Sequence, residues 1–190
     1  MPIVLYLGKN VNEYKRKSKK IIKRCIRTGR ILCSICMQKM AIHSYYKRKI
    51  KETGKKIKIT IVWCSKCKKW HALLPDFLLA YKHYSGNEVE SVIIDSATDP
   101  VSLIETKASE STVRRWIKQI GERITQTIGI LKLRFGQDGH AVSEIKIESG
   151  SIYSELEQVL EMAPDEVESC GNKLGMANIW LSTNSTPAFI

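Results

Sequence analysis

The sequence predicts an α+β protein: a small β module near the N-terminus, then two helices joined by a tight turn, then a mostly helical C-terminal region. Three observations predict this. Two Cys-x-x-Cys pairs, Cys33/Cys36 and Cys64/Cys67, bracket a 27-residue segment that reads as strand, turn, strand. Helix-start signals at Asp99-Pro100 and at Ser109 precede an apolar stripe of three- and four-residue spacing that runs from Val113 to Phe135. The charge is steeply asymmetric: residues 1–84 hold 22 Lys/Arg against 3 acids, and residues 136–190 hold 2 against 9.

The elements follow in order. Residues 2–7 read as a short strand that Gly8 ends. Asn10, three residues before Glu13, opens a helix in the manner of a capping box. That helix runs through the apolar residues Tyr14, Ile21, Ile22, Cys25 and Ile26 and stops at Thr28-Gly29. Its other face carries Lys15, Arg16, Lys17, Lys19, Lys20, Lys23, Arg24 and Arg27, more cations than solubility needs. Residues 42–50 and 56–63 form two strands about a turn at Thr53-Gly54, the second with Ile57, Ile59 and Ile61 on one face. Residues 73–81 are an apolar connector that packs rather than hangs free, since a flexible linker would be polar. Asn87 with Glu90 caps the next helix, around Val89, Val92 and Ile93. Asp99-Pro100 opens a short helix through Val101, Leu103 and Ile104, and Ser109 starts a long one. A strand is expected over residues 141–148, and helices over 151–162, closed by Pro164, and over 172–181. The implied organisation is 1–30 (strand and basic helix), 31–76 (β module), 77–86 (connector), 87–120 (helical pair) and 121–190 (acidic helical region).

The chemistry begins with the cysteines. Each Cys-x-x-Cys can wrap one side of a metal ion, and Cys33, Cys36, Cys64 and Cys67 together supply the four thiolates of a tetrahedral Zn2+ site carried on a hairpin, the layout of a zinc ribbon. A closed all-thiolate site leaves no coordination position for water, so the ion is structural. A module of about 45 residues also needs such a staple. The N-terminal apolar run is too short for a signal peptide, and no stretch approaches the ~20 apolar residues of a membrane span. Pairwise clustering in a chain read as cytoplasmic and nucleoid-associated favours metal over disulfides. Cys25 and Cys170 are ordinary thiols, and His43 and His71 are polar strand residues, with a place behind the ligands open to them.

A net charge of +19 over residues 1–84 is the footprint of a polyanion-binding surface, with nucleic acid favoured over an anionic membrane. Lys15 and Lys20 are candidate phosphate contacts, as are Lys47 and Arg48, which follow Tyr45 and Tyr46. These aromatics either stack on bases or pack within the module. The pair of helices before and after a brief break at Lys107-Ala108 reads as a helix-turn-helix. Val113, Trp116, Ile117 and Ile120 face its core, which leaves Ser109, Glu110, Ser111, Thr112, Arg114, Arg115 and Lys118 as candidate contacts to double-stranded DNA. The stripe over residues 113–135 serves either an intrachain core or a homodimer seam.

The chain resembles a group of uncharacterised bacterial proteins, often found with insertion sequences, that join an N-terminal zinc ribbon to a helix-turn-helix. The matching residues are the two cysteine pairs, Ser44-Tyr45-Tyr46-Lys47-Arg48, His71 through Phe77, Tyr81 through Ser85, and residues 109–118. Ala80 departs from an expected proline, and Met37 stands where glycine is common. The resemblance implies transposase-like DNA recognition in a mobile element, or an accessory copy of that function. A transposase core needs a catalytic carboxylate triad, and the acids after residue 120 are spread over amphipathic helices, so no catalytic residue and no enzyme activity are expected. Two other readings stand beside this one: a single-stranded nucleic-acid or RNA-binding ribbon, and an assembly subunit that recruits a separate recombinase through its acidic tail.

Overall fold

The computed structural model describes residues 2–137, 151–163, 169 and 171–182. The expected strand at 141–148, Pro164 and Cys170 lie outside them. The protein is α+β, with a four-stranded sheet and five α-helices among the described residues. It divides into two compact units: Met1–Gly86 with Val167–Ile190, and Asn87–Glu166.

The first unit is built on the sheet, in the order β1-β4-β3-β2. Strand β1 (Ile3–Leu5) is followed by helix α1 (Val11–Arg27), then β2 (Ala41–Lys49), β3 (Lys56–Cys64) and β4 (Lys69–Pro75). Helix α1 starts as its sequence dictates. The Asn10 side chain accepts hydrogen bonds from the Asn12 and Glu13 N–H groups, and the Glu13 carboxylate accepts one from the Lys9 N–H at 2.8 Å. Tyr14, Ser18, Ile22 and Cys25 form its buried stripe, and the Tyr14 hydroxyl donates to the Lys58 carbonyl at 2.8 Å, tying α1 to β3. Gly29 adopts φ +71 just past the helix end.

Strand β4 departs from the expected strand-turn-strand. It contains Leu73, Leu74 and Pro75, the first third of the expected connector. It pairs antiparallel with β3 and parallel with β1, so both its edges are hydrogen-bonded; Leu73, Leu74 and Pro75 are buried, whereas Lys69 and Trp70 are exposed. The rest of the connector folds back into the same unit: Phe77, Leu78, Leu79 and Tyr84 are buried, and the Ser85 N–H donates to the Glu52 carboxylate at 2.9 Å. In β3, Ile57 and Ile59 are buried as expected. Ile61 is only half-buried, whereas Thr60 and Val62 of the opposite face are buried. A bulge at His43 interrupts the β2–β3 register between Ile42 and Ser44. Helix α5 (Lys173–Ser182) packs against β1.

The second unit holds α2 (Gly86–Asp95, from its second residue on), a 3-10 turn (Val101–Leu103), α3 (Glu110–Gln137) and α4 (Ile152–Glu161). The long stripe of α3 is realised: Val113, Trp116, Ile120, Ile124, Ile128, Leu131 and Phe135 are buried, and Ile117 is half-buried. Helix α4 packs on α3 through Tyr153, Leu156, Val159 and Leu160, with Lys132 and Glu155 paired at 2.7 Å. The first helix of the expected helix-turn-helix is shorter than its sequence signal. It is a single 3-10 turn with no buried residue, and Ile104 already has extended backbone. With no apolar face to bury, three residues cannot repay a helix nucleus. The following segment is held instead by Glu88, whose carboxylate accepts from the Thr106 hydroxyl at 2.7 Å and the Lys107 N–H at 3.1 Å.

Candidate metal centre and nucleic-acid surfaces

The two cysteine pairs form matching knuckles. In the first, the Met37 N–H donates to the Cys33 carbonyl at 2.9 Å; in the second, the Lys68 N–H donates to the Cys64 carbonyl at 3.0 Å. Both turns need a left-handed residue directly after the second cysteine, and Met37 (φ 56) and Lys68 (φ 55) supply it. The knuckles face one another: Cys33 Sγ lies 3.4 Å from Cys67 Sγ, and Cys36 Sγ lies 3.4 Å from Cys64 Sγ. All four sulfurs fall within 4.8 Å of one another. A regular tetrahedron with metal–sulfur bonds of ~2.3 Å has edges of about 3.8 Å, so this cluster fits one ion.

The electrostatics agree. Hydrogen bonds from the Cys67 and Lys66 backbone N–H groups bring the Cys64 thiol down to about 6. Burial, then the neighbouring sulfurs, push Cys67 up to about 12, and burial raises Cys36. Four thiolates this close repel one another, and a divalent cation reverses that balance. His71, buried on β4, places Nε2 3.4 Å from Cys33 Sγ. It stands behind the ligand set, where an imidazole orients a coordinating thiolate. Cys25 is buried in α1 and its thiol is raised by that burial, so it has no part in the cluster.

The cationic surfaces lie on α1 and on the β2–β3 hairpin. All eight α1 cations named above are exposed; Glu13 pairs with Lys17 at 2.5 Å. On the hairpin, Lys47 stands directly across from Lys58, and Lys49 directly across from Lys56. Like charges at cross-strand positions oppose pairing, and two such pairs in succession concentrate charge on one edge of the sheet. Sequence grouped Arg48 with Lys47, but the two part company. Arg48 is buried, and its guanidinium donates to the Leu79 carbonyl at 2.8 Å and to the Lys82 carbonyl; burial lowers its pKa. It braces the connector rather than facing solvent. The parity of Arg48 with buried Ile50 was the available signal.

The two tyrosines also separate. The Lys58 ammonium caps the Tyr45 ring at 4.2 Å, whereas Tyr46 lines a cavity of about 670 Å³ over the opposite sheet face. Sequence reasoning passed over the aromatic group beside it, in which His43, Trp63 and Trp70 stack with ring centroids 5.5–6.4 Å apart.

In the second unit, Ser109, Glu110, Ser111, Arg114, Arg115 and Lys118 are exposed on the first turns of α3, with Thr112 half-buried. The Ser109 hydroxyl meets those of Ser111 (3.2 Å) and Thr112 (2.9 Å), and its carbonyl accepts the Thr112 and Val113 N–H groups. Arg114 pairs with Glu110 at 2.5 Å in solvent, a weak tether. No helix of the described residues is long and apolar enough to cross a membrane.

Residues 33–116 match the model of a family described as a domain of unknown function, DUF6431. The match begins at the first cysteine of the cluster and ends in α3 one residue past Arg115, so it takes in the cysteine cluster, strands β2 to β4 and the exposed N-terminal turns of α3. No curated protein and no solved structure matches the chain.

Proposed function

We propose that this is a zinc-stapled DNA-binding protein without a catalytic core, which serves recognition in a mobile element. The observation that carries the reading is the cationic surface of the first unit. An eight-cation helix face and two like-charge cross-strand pairs lie on a sheet that a thiolate cluster holds together. Such charge costs folding stability and is repaid by phosphate neutralisation and counterion release. Zn2+ is the ion that a closed set of four thiolates suits best, and it holds structure there. The exposed start of α3 is the surface for base edges: Arg115, or Arg114 once released from Glu110, can pair bidentately with guanine, and Ser111 and Lys118 flank them. The resemblance to insertion-sequence zinc-ribbon proteins supports the mobile-element setting.

Selection of bound duplexes from a random pool, followed by titrations at several salt concentrations, tests this. Affinity for the selected site falls with salt by ~0.9 log units per log unit of salt for each phosphate contacted. Arg114→Ala with Arg115→Ala costs about 1–3 kcal/mol per lost contact and relaxes the selected sequence. Lys15→Ala and Lys20→Ala weaken all duplexes alike and lower the salt slope. Duplex binding that is weak and indifferent to salt and sequence would sink the proposal.

A further inference from the structure

We infer that the cavity on the first unit's sheet is a stacking site for unpaired bases of single-stranded DNA, separate from any duplex-reading surface. Its floor is apolar, made by Ile61 of β3 with Ala72 and Leu74 of β4. Three aromatic rings stand around it and face solvent: Tyr46 is 40% exposed, Trp70 60% and Tyr81 82%. Aromatic surface gathered this way around one concavity marks a binding site more often than a packing fault.

Two features hold these rings in place for a ligand rather than for the core. Trp70 packs at a tilt against His43 and Trp63, with ring centroids 5.5 Å from each, and the His43 bulge brings the imidazole into that group. The pleat of β4 sends His71 to the cysteine cluster and its neighbours Trp70 and Ala72 to the cavity, so the metal knuckle also fixes the platform. Tyr81 has φ 61, a left-handed conformation that a tyrosine adopts at a cost, yet its ring is largely in solvent and gains little from packing. Arg48 pins the carbonyls on either side of it, those of Leu79 and Lys82, and so holds the strained segment.

The charge selects the occupant. Among the described residues no acidic one lines the cavity; Lys82 does, and Lys47 and Lys49 border it along the edge strand β2, on the alternate pleat from Tyr46. Flat rings bordered by cations suit bases on a phosphate backbone. Bases inside a duplex are already stacked and paired, so the occupant is an unpaired strand. This inference does not rest on the duplex reading, whose base-contacting residues lie on α3 in the other unit.

The test is fluorescence anisotropy with the full chain loaded with zinc and a labelled oligothymidylate of about 12 nucleotides. Trp70→Ala and Tyr81→Gly are each expected to weaken binding about tenfold or more, and Tyr81→Phe by less than about twofold. Because glycine accepts the left-handed backbone, Tyr81→Gly is expected to melt no lower than the native chain, so its loss of binding is not unfolding. Duplex affinity stays within about twofold in all three variants, and Arg114→Ala with Arg115→Ala leaves oligothymidylate binding unchanged. Failure of the native chain to bind the oligonucleotide overturns the inference, as does binding that survives both ring deletions. A preference of about tenfold or more for oligouridylate also overturns it, in favour of an RNA strand.

Discussion

Met37 and Lys68 occupy equivalent places, one residue past each knuckle, and both hold φ near +55 to satisfy the first cysteine's carbonyl. A left-handed non-glycine residue costs about 1–2 kcal/mol, part of which glycine returns as backbone entropy on folding. Met37 is 40% exposed, so removing its side chain forfeits little burial. Met37→Gly and Lys68→Gly are therefore expected to stabilise the protein by about 0.5–1 kcal/mol each, a rise of roughly 2–6 °C in melting temperature. Met37→Val, branched at Cβ, is expected to lower it. Thermal melts of the metal-loaded chain decide this, and a drop on Met37→Gly would show that the thioether packs. The sequence carried half of this point: methionine where glycine is usual was visible, but the left-handed backbone that makes it matter was not.

Glycines show how differently two helices use the same residue. In α5, a Cβ at Gly175 would sit 2.4 Å from the Asp76 carbonyl oxygen and 2.6 Å from Asn172 Oδ1. Asn172, buried, caps that helix by accepting from the Gly175 N–H at 2.5 Å. Gly175→Ala must push α5 off the end of β4, at about 1–3 kcal/mol. In α3, Gly129 has nothing within 4 Å, and Gly129→Ala is expected to stabilise by about 0.5–1 kcal/mol. Urea unfolding of the two variants should shift in opposite directions; equal shifts would refute the close packing of α5. Helices α1, α3, α4 and α5 were legible in sequence because caps and four-residue stripes are local signals. Strand β4 was not, since a short apolar run flanked on both sides carries no alternation to mark it as a strand. The 3-10 turn at Val101–Leu103 was over-read for the converse reason: its Asp-Pro start is a true local signal, but no buried face lies beyond it to extend the helix.

At the scale of the whole molecule, the two units stand on different supports. The first joins segments far apart in sequence: β1 pairs with β4, α1 bonds to β3, and α5, more than 160 residues from β1, packs against that strand. None of these pairings is written in a local pattern, which is why sequence divided residues 1–76 into two modules where one sheet exists. The cysteine cluster, legible from spacing alone, draws Cys33/Cys36 at the base of β2 and Cys64/Cys67 between β3 and β4 to one point. The second unit, α2 to α4, contains none of these ligands and rests on the buried stripe of α3. A structural zinc site contributes ~10–16 kcal/mol of apparent folding energy, comparable to the 5–15 kcal/mol net stability of a whole domain. Removing the ion with a strong chelator is therefore expected to unfold the first unit and leave the second helical. Trp180, buried in α5, and Trp116, buried in α3, make the two outcomes separable. With the other three tryptophans replaced by phenylalanine, the Trp180 emission should shift red on chelation while a matching Trp116-only chain keeps its buried spectrum. Restoring one equivalent of Zn2+ per chain should return the Trp180 signal. An unchanged Trp180 spectrum after complete metal removal would show that the cluster is not what holds the sheet, and a simultaneous shift of both would show that the two units fold as one.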